Sequence, residues 1–173
     1  MRQPERTPAE TADTVKCGLA AEVLRSFGKL RFAATGWSML PAIWPGETLV
    51  VERVNRDQFQ VGDVVLVARQ GRLCAHRLVA KADGSGKAQW ITQGDAIPAP
   101  DDPVSDGDLL GRVGFLIRAG RLVPVPTELS AVRRATANIV RHSVPAARAL
   151  IFVHRVIQAG EKLVSKEAIP CQS

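Results

Sequence analysis

The chain has 173 residues, 46% hydrophobic and 23% charged, enough for one packed domain with an appendage and too few for two large domains. Lys and Arg outnumber Asp and Glu by 23 to 17, a net charge of +6 that suits nucleic acid, an anionic membrane surface or an acidic peptide and selects none of them. Cys17, Cys74 and Cys171 are too scattered for a disulfide framework or a metal site, and no uncharged apolar run reaches the ~18 residues of a spanning helix, so a reducing, cytoplasmic setting with at most peripheral membrane contact is expected.

Residues 1–12 read as a frayed polar arm, without the apolar stretch that would mark a secretory signal peptide. From Thr14 to Gly28, Val15, Leu19, Val23 and Phe27 recur every four residues, which predicts one amphipathic helix packed on the core through that stripe and ended by Gly28. The pattern then shortens to strands, expected at 30–35, 47–54, 63–69, 72–80, 88–93, 109–118 and 121–125. Turn signals separate them: Pro45-Gly46, Val61-Gly62-Asp63, Gln70-Gly71, Asp83-Gly84-Ser85-Gly86 and Ala119-Gly120. Gln70-Gly71 is short enough to make 63–80 a hairpin, which would hold His76 on a paired, rigid strand.

The expected fold is therefore mainly β (α+β): an N-terminal arm and helix over 1–28, an antiparallel β domain over 29–125 and a basic helical extension over 126–173. In that extension Thr127-Glu128 marks a helix start, and Pro145, with Ser143 as a cap, divides the segment into two helices reaching about Gly160. Arg134, Arg141, Arg148 and Arg155 recur every seven residues, with Ile139, Leu150, Val153 and Ile157 roughly opposite. Such a segment either packs its apolar face on the β domain or on another subunit, or lies on an anionic membrane through 127–160. Phe152 is its only aromatic residue, so no nucleic acid is expected as a partner, and nothing in the sequence sets the oligomeric state.

Candidate chemistry begins at Thr35-Gly36-Trp37-Ser38-Met39-Leu40-Pro41, where a strand ends in a turn that would direct the Ser38 hydroxyl toward a cleft. A serine in such a place commonly does no more than cap the turn. As a nucleophile it needs a base within hydrogen-bond reach. Of three histidines, His142 and His154 sit among arginines of the extension, where solvent or a partner is the expected neighbour. His76 stands in the otherwise apolar Leu73-Cys74-Ala75-His76-Arg77-Leu78-Val79. The proline-bearing loop Gln93 to Asp102 then offers Asp95, Asp101 and Asp102, one of which could fix the imidazole tautomer.

In chain order, Gly36-Trp37-Ser38-Met39-Leu40-Pro41, Val61-Gly62-Asp63-Val64-Val65, Ala75-His76-Arg77-Leu78-Val79 and Gln93-Gly94-Asp95 resemble the nucleophile, strand, base and acidic boxes of the serine endopeptidases of the signal peptidase and LexA-type repressor group. Histidine at the base position makes this a resemblance to the branch of the archaeal and endoplasmic-reticulum signal peptidases; bacterial signal peptidases and self-cleaving repressors carry lysine there. That branch has a G-D-N-N stretch followed by a further Asp. Asp95 matches the first acid and Asp101 the second, while Ala96-Ile97 replaces the Asn pair. The resemblance implies Ser38 as nucleophile, His76 as base, Asp101 or Asp95 as the orienting carboxylate, a backbone oxyanion hole near Ser38, and neither cofactor nor metal. Met39, Leu40, Ile43 and Trp44 are candidates for the apolar cleft.

The implied substrate is a peptide or protein precursor. Signal peptidases normally carry a spanning segment and this sequence shows none, which favours a soluble or membrane-bound precursor over general processing of exported proteins. Two alternatives accompany this expectation. One is a non-catalytic binding module that holds a partner through the basic helices. The other is self-cleavage in the manner of the repressors, with Cys17-Gly18 as the scissile dipeptide.

Overall fold

The computed structural model describes residues 8–84, 87–143, 145–154 and 156. Helix α1, Pro8–Phe27, leads into eight strands: β1 Lys29–Ala33, β2 Thr48–Glu52, β3 Val64–Arg69, β4 Arg72–Gly84, β5 Lys87–Gln93, β6 Val104–Ser105, β7 Leu109–Arg118 and β8 Arg121–Pro124. Helix α2, Ala131–His142, comes next, and residues 145–154 form a further helix, α3. The strands make one antiparallel sheet in the order β1-β2-β7-β3-β4-β5-β6, with β8 hydrogen-bonded to β7. The protein is thus mainly β within an α+β whole, as its turn and strand signals lead one to expect.

Strand β3 is the centre. Val64, Val65, Leu66 and Val67 are all buried, because both faces of the sheet are covered here. Val64 and Leu66 join Leu24, Met39, Ile43, Leu49, Val51, Val113 and Leu116 in the larger core. Val65 and Val67 join Phe59, Leu78, Trp90, Val104 and Leu109 on the other side. Strands β3 and β4 form the expected hairpin, with Val65 opposite His76 and Arg69 opposite Arg72. Its turn needs positive φ at both Gln70 (48°) and Gly71 (75°), the backbone of a two-residue hairpin whose twist matches the strands.

Several details differ from the sequence expectation. Helix α1 begins at Pro8, so residues 8–12 are helical and only 1–7 of the expected arm lie outside the described residues. Its buried face is Cys17, Ala20 and Leu24, while Val15, Leu19 and Phe27 are exposed. The 72–80 strand runs on to Gly84, Ser85-Gly86 of the expected turn lies outside the described residues, and the short β6 and a 3-10 turn at Arg56–Gln58 are additional.

Helix α2 starts at Ala131 rather than at Thr127, because Ser130 accepts the Arg133 amide hydrogen bond that caps it. Ser143 separates α2 from α3, its carbonyl accepting from Ala147 N at 3.0 Å and its hydroxyl from Ala146 N at 3.3 Å. The apolar face of α2 is Ala137 and Val140, not Ile139, and these two pack with Ala147 of α3 against Leu40 and Ala96. On α3, Leu150 is half-buried and Val153 exposed; Arg155 and Ile157 fall outside the described side chains. No helix among the described residues is long and apolar enough to cross a membrane.

Candidate active site

The segment between β1 and β2 is closed at its base by backbone hydrogen bonds, Ala34 N to Glu47 O at 2.9 Å and Gly46 N to Ala34 O at 2.7 Å. Met39, Leu40, Ala42 and Ile43 are buried and anchor it. Glu47, itself buried, accepts from Trp44 N and pairs with Arg118, whose Nη2 also donates to the Ala42 carbonyl. Ser38 is half-buried on this fixed loop, and its carbonyl accepts from Ala96 N at 2.8 Å. A serine held this way has little freedom beyond its own χ1 rotation.

His76 reaches Ser38 from β4. Its Nε2 lies 3.1 Å from Ser38 Oγ, and its Nδ1 lies 2.6 Å from Asp101 Oδ2. A carboxylate only accepts, so Nδ1 carries the proton and donates it, leaving Nε2 free to accept the Ser38 hydroxyl hydrogen. Asp101 is fixed in turn. The Thr92 hydroxyl donates to the same Oδ2 at 2.7 Å, and Asp101 N donates to Thr92 O at 2.8 Å. Arg69 stands 3.8 Å from the other carboxylate oxygen. Thr92 is fully buried on β5, opposite Leu78 and on the face His76 uses.

The structure brings Ser38, His76 and Asp101 together and holds the other two acids apart. Asp95 is buried against Arg77, whose Nε and Nη2 donate to its two oxygens at 2.8 and 2.9 Å. Arg77 Nη1 also donates to the carbonyls of Gly62, Pro126 and Thr127. Asp95 is therefore part of a buried knot that ties β4 to the loop after β5 and to the approach to α2. Asp102 is exposed and pairs with Arg69. Adjacent residues of a strand point to opposite faces, so His76 and Arg77 each take a different carboxylate. Sequence reasoning missed Thr92, Arg69 and the Arg77 knot; the His-Arg pair in an apolar strand was the one signal that a second charged partner was needed.

Beside Ser38 lies a cavity of about 170 Å³ whose walls include Phe32, Met39, Ile43, Leu49, Leu73 and Cys74. Met39 and Ile43 thus line the cleft as expected, whereas Leu40 packs under α2 and Trp44 stacks on His154 with ring centroids 3.9 Å apart. His154 accordingly packs within the molecule, contrary to expectation, while His142 is exposed. Strand β5 pairs with β4 only from Arg77 onward, so among the described residues 72–76, next to the cavity, have no strand partner on that side. Burial, helped by the Asp101 charge, raises the Cys74 thiol above its ordinary pKa, which lowers its thiolate fraction and slows its reactions. Among the described residues, the amides of Ser38 and Met39 have no hydrogen-bond partner, and no cluster of His, Cys, Asp and Glu suits a metal ion.

A scan against protein-family models finds no match, and a search of curated proteins finds none similar to this chain.

Proposed function

We propose that the protein is a serine endopeptidase with the fold of the signal peptidase and LexA-like group, acting on a peptide or protein precursor. The observation that carries this is the unbroken chain from Ser38 Oγ to His76 Nε2 at 3.1 Å and from His76 Nδ1 to Asp101 Oδ2 at 2.6 Å. Ser38 Oγ attacks the peptide carbonyl carbon while His76 Nε2 takes its proton. The resulting imidazolium is stabilised by Asp101 and gives that proton to the leaving amine. Water, deprotonated by the same nitrogen, then releases the acyl group and restores Ser38. The free amides of Ser38 and Met39 are the available donors for the oxyanion, since Gly36 offers no side chain.

An apolar cavity beside the serine and an open β4 edge support an extended peptide as the substrate, bound through main-chain hydrogen bonds. Self-cleavage at Cys17-Gly18 is disfavoured: Cys17 is buried within α1, and a scissile bond must lie extended at the serine. The test is covalent labelling by a fluorophosphonate followed by intact mass. One adduct at Ser38 that His76→Ala removes supports the reading, whereas no adduct on the folded wild type, or an adduct that survives Ser38→Ala, overturns it.

Phe152, Val153 and Val156 of the C-terminal region are more than half exposed and neighbour the exposed Arg148. An apolar stripe flanked by arginine suits the surface of an anionic membrane.

A further inference from the structure

On the opposite face of β4 from His76 lies a second cavity, of about 300 Å³, walled by Arg77, Val79, Asp95, Glu128, Leu129, Arg134 and Arg141. Arg134 and Arg141 are seven residues apart, two turns of α2, so both project to one side. Arg77 is spent on Asp95 and three carbonyls, but the other two arginines are not. The Arg134 guanidinium has neither an ion pair nor a hydrogen bond among the described residues. Arg141 donates from Nη2 to the Asp95 carbonyl at 3.0 Å, and its Nε is buried with no acceptor. That Nε has no accessible surface, so a ligand in the cavity would meet the remaining guanidinium nitrogens of Arg141 and the unpaired Arg134.

A third cavity, of about 400 Å³, differs from it. It too is lined by three arginines, Arg25, Arg53 and Arg56, but they are engaged by Glu22, the Arg25 carbonyl and Asp106 respectively. Of the two, the cavity at α2 is the one that holds guanidinium donors without acceptors among the described residues. It also has apolar walls for a side-chain stem in Val79 and Leu129. Of its two acidic lining residues Asp95 is taken up by Arg77, so Arg134 and Arg141 exceed the remaining Glu128 by one positive charge, which suits a single carboxylate.

Its position gives the ligand a source. Arg141 holds the Asp95 carbonyl, Gly94 precedes Asp95, and Gly94 abuts Ser38. Gly94, which also lines the cavity, thus lies between it and Ser38, so a peptide bound at Ser38 meets the cavity where it bends past Gly94. We infer that Arg134 and Arg141 form a carboxylate-binding site for an acidic residue of the peptide substrate, set a few residues from the bond that Ser38 attacks. This rests on the endopeptidase reading for its substrate.

The test reads binding, not turnover. Full-length protein carrying Ser38→Ala is titrated into fluorescein-labelled ten-residue alanine-glycine peptides with one glutamate, or with glutamine in its place. The glutamate peptide should bind at least tenfold more tightly, and Arg134→Gln, an exposed position on α2, should erase the difference; Arg141→Gln should do the same wherever its circular dichroism shows the fold retained. Equal binding of the two peptides, binding of neither, or a difference that survives Arg134→Gln overturns the site. Free glutarate that competes as well as the glutamate peptide overturns the peptide as its source. Fluorophosphonate labelling of the wild type reports separately on the endopeptidase reading, so the two failures are distinguishable.

Discussion

Gly94 packs so closely on Ser38 that a Cβ at position 94 would stand 2.7 Å from the Ser38 carbonyl oxygen and 3.1 Å from the Ser38 Cβ. Gly94→Ala should therefore push the serine out of line with His76 while leaving the strands intact. A displacement approaching 1 Å costs about 100-fold in rate, and the loss should appear in kcat more than in KM. Peptide-cleavage kinetics alongside thermal melting would check it; wild-type kcat would show that the loop yields elsewhere.

The two candidate acids should fail in different ways. Asp101→Asn should lower peptidase activity by about 10³ to 10⁴ with little change in melting temperature, because it removes the acceptor that fixes the His76 tautomer. Thr92→Val should cost about fivefold, the share of one hydrogen bond to that acceptor.

Asp95→Ala leaves the buried Arg77 guanidinium without its carboxylate. Breaking one side of such a pair costs about 3 to 5 kcal/mol, which lowers the melting temperature by on the order of 10 °C in a chain of this size. Any activity lost should track the fraction folded.

Cys74 reports on Asp101 without any substrate. Its thiol is held above its ordinary pKa first by burial and next by the Asp101 charge. A raised thiol pKa means less thiolate at a given pH, so iodoacetamide should alkylate Cys74 in the folded protein more slowly than a free thiol at pH 8. Asp101→Asn removes one cause of the rise and should speed alkylation. Because Cys74 lines the cavity beside Ser38, its alkylation should also block cleavage of peptides.

The exposed apolar stripe of the C-terminal region gives a fifth expectation. The protein should cosediment with vesicles containing anionic lipid and release at high salt, and Phe152→Ala should weaken that binding severalfold. Equal partition onto neutral vesicles would point to apolar contact alone.

Much of this was legible in the residues. Alternation and turn chemistry gave seven of the strands, and Gln70-Gly71 gave the hairpin that carries His76. Strand β6 was not legible, since two residues carry no period. The face of α1 was misjudged for a geometric reason: a strict four-residue spacing drifts by roughly 40° per step, so Val15 and Phe27 lie about 120° apart on the helix. Cys17, Ala20 and Leu24 alternate steps of three and four and stay on one face. Nor could the sequence choose between Asp95 and Asp101. That choice is made by the partners of the neighbouring residues His76 and Arg77, which only the packing of the 93–102 loop on β4 reveals.

The turn at Gln70-Gly71 is far from Ser38, yet it decides which side chain meets the serine. It sits against α1, where a Cβ on Gly71 would fall 2.8 Å from the Thr14 hydroxyl oxygen, and it sets the pairing of Val65 with His76. Side chains alternate along a strand, so sliding β4 by one residue against β3 would present Arg77 to Ser38 and turn His76 toward Asp95. Two-residue turn length is thus a parity condition on the site: gaining or losing one residue there exchanges an imidazole for a permanent cation, although Ser38, His76 and Asp101 are all still present in the chain.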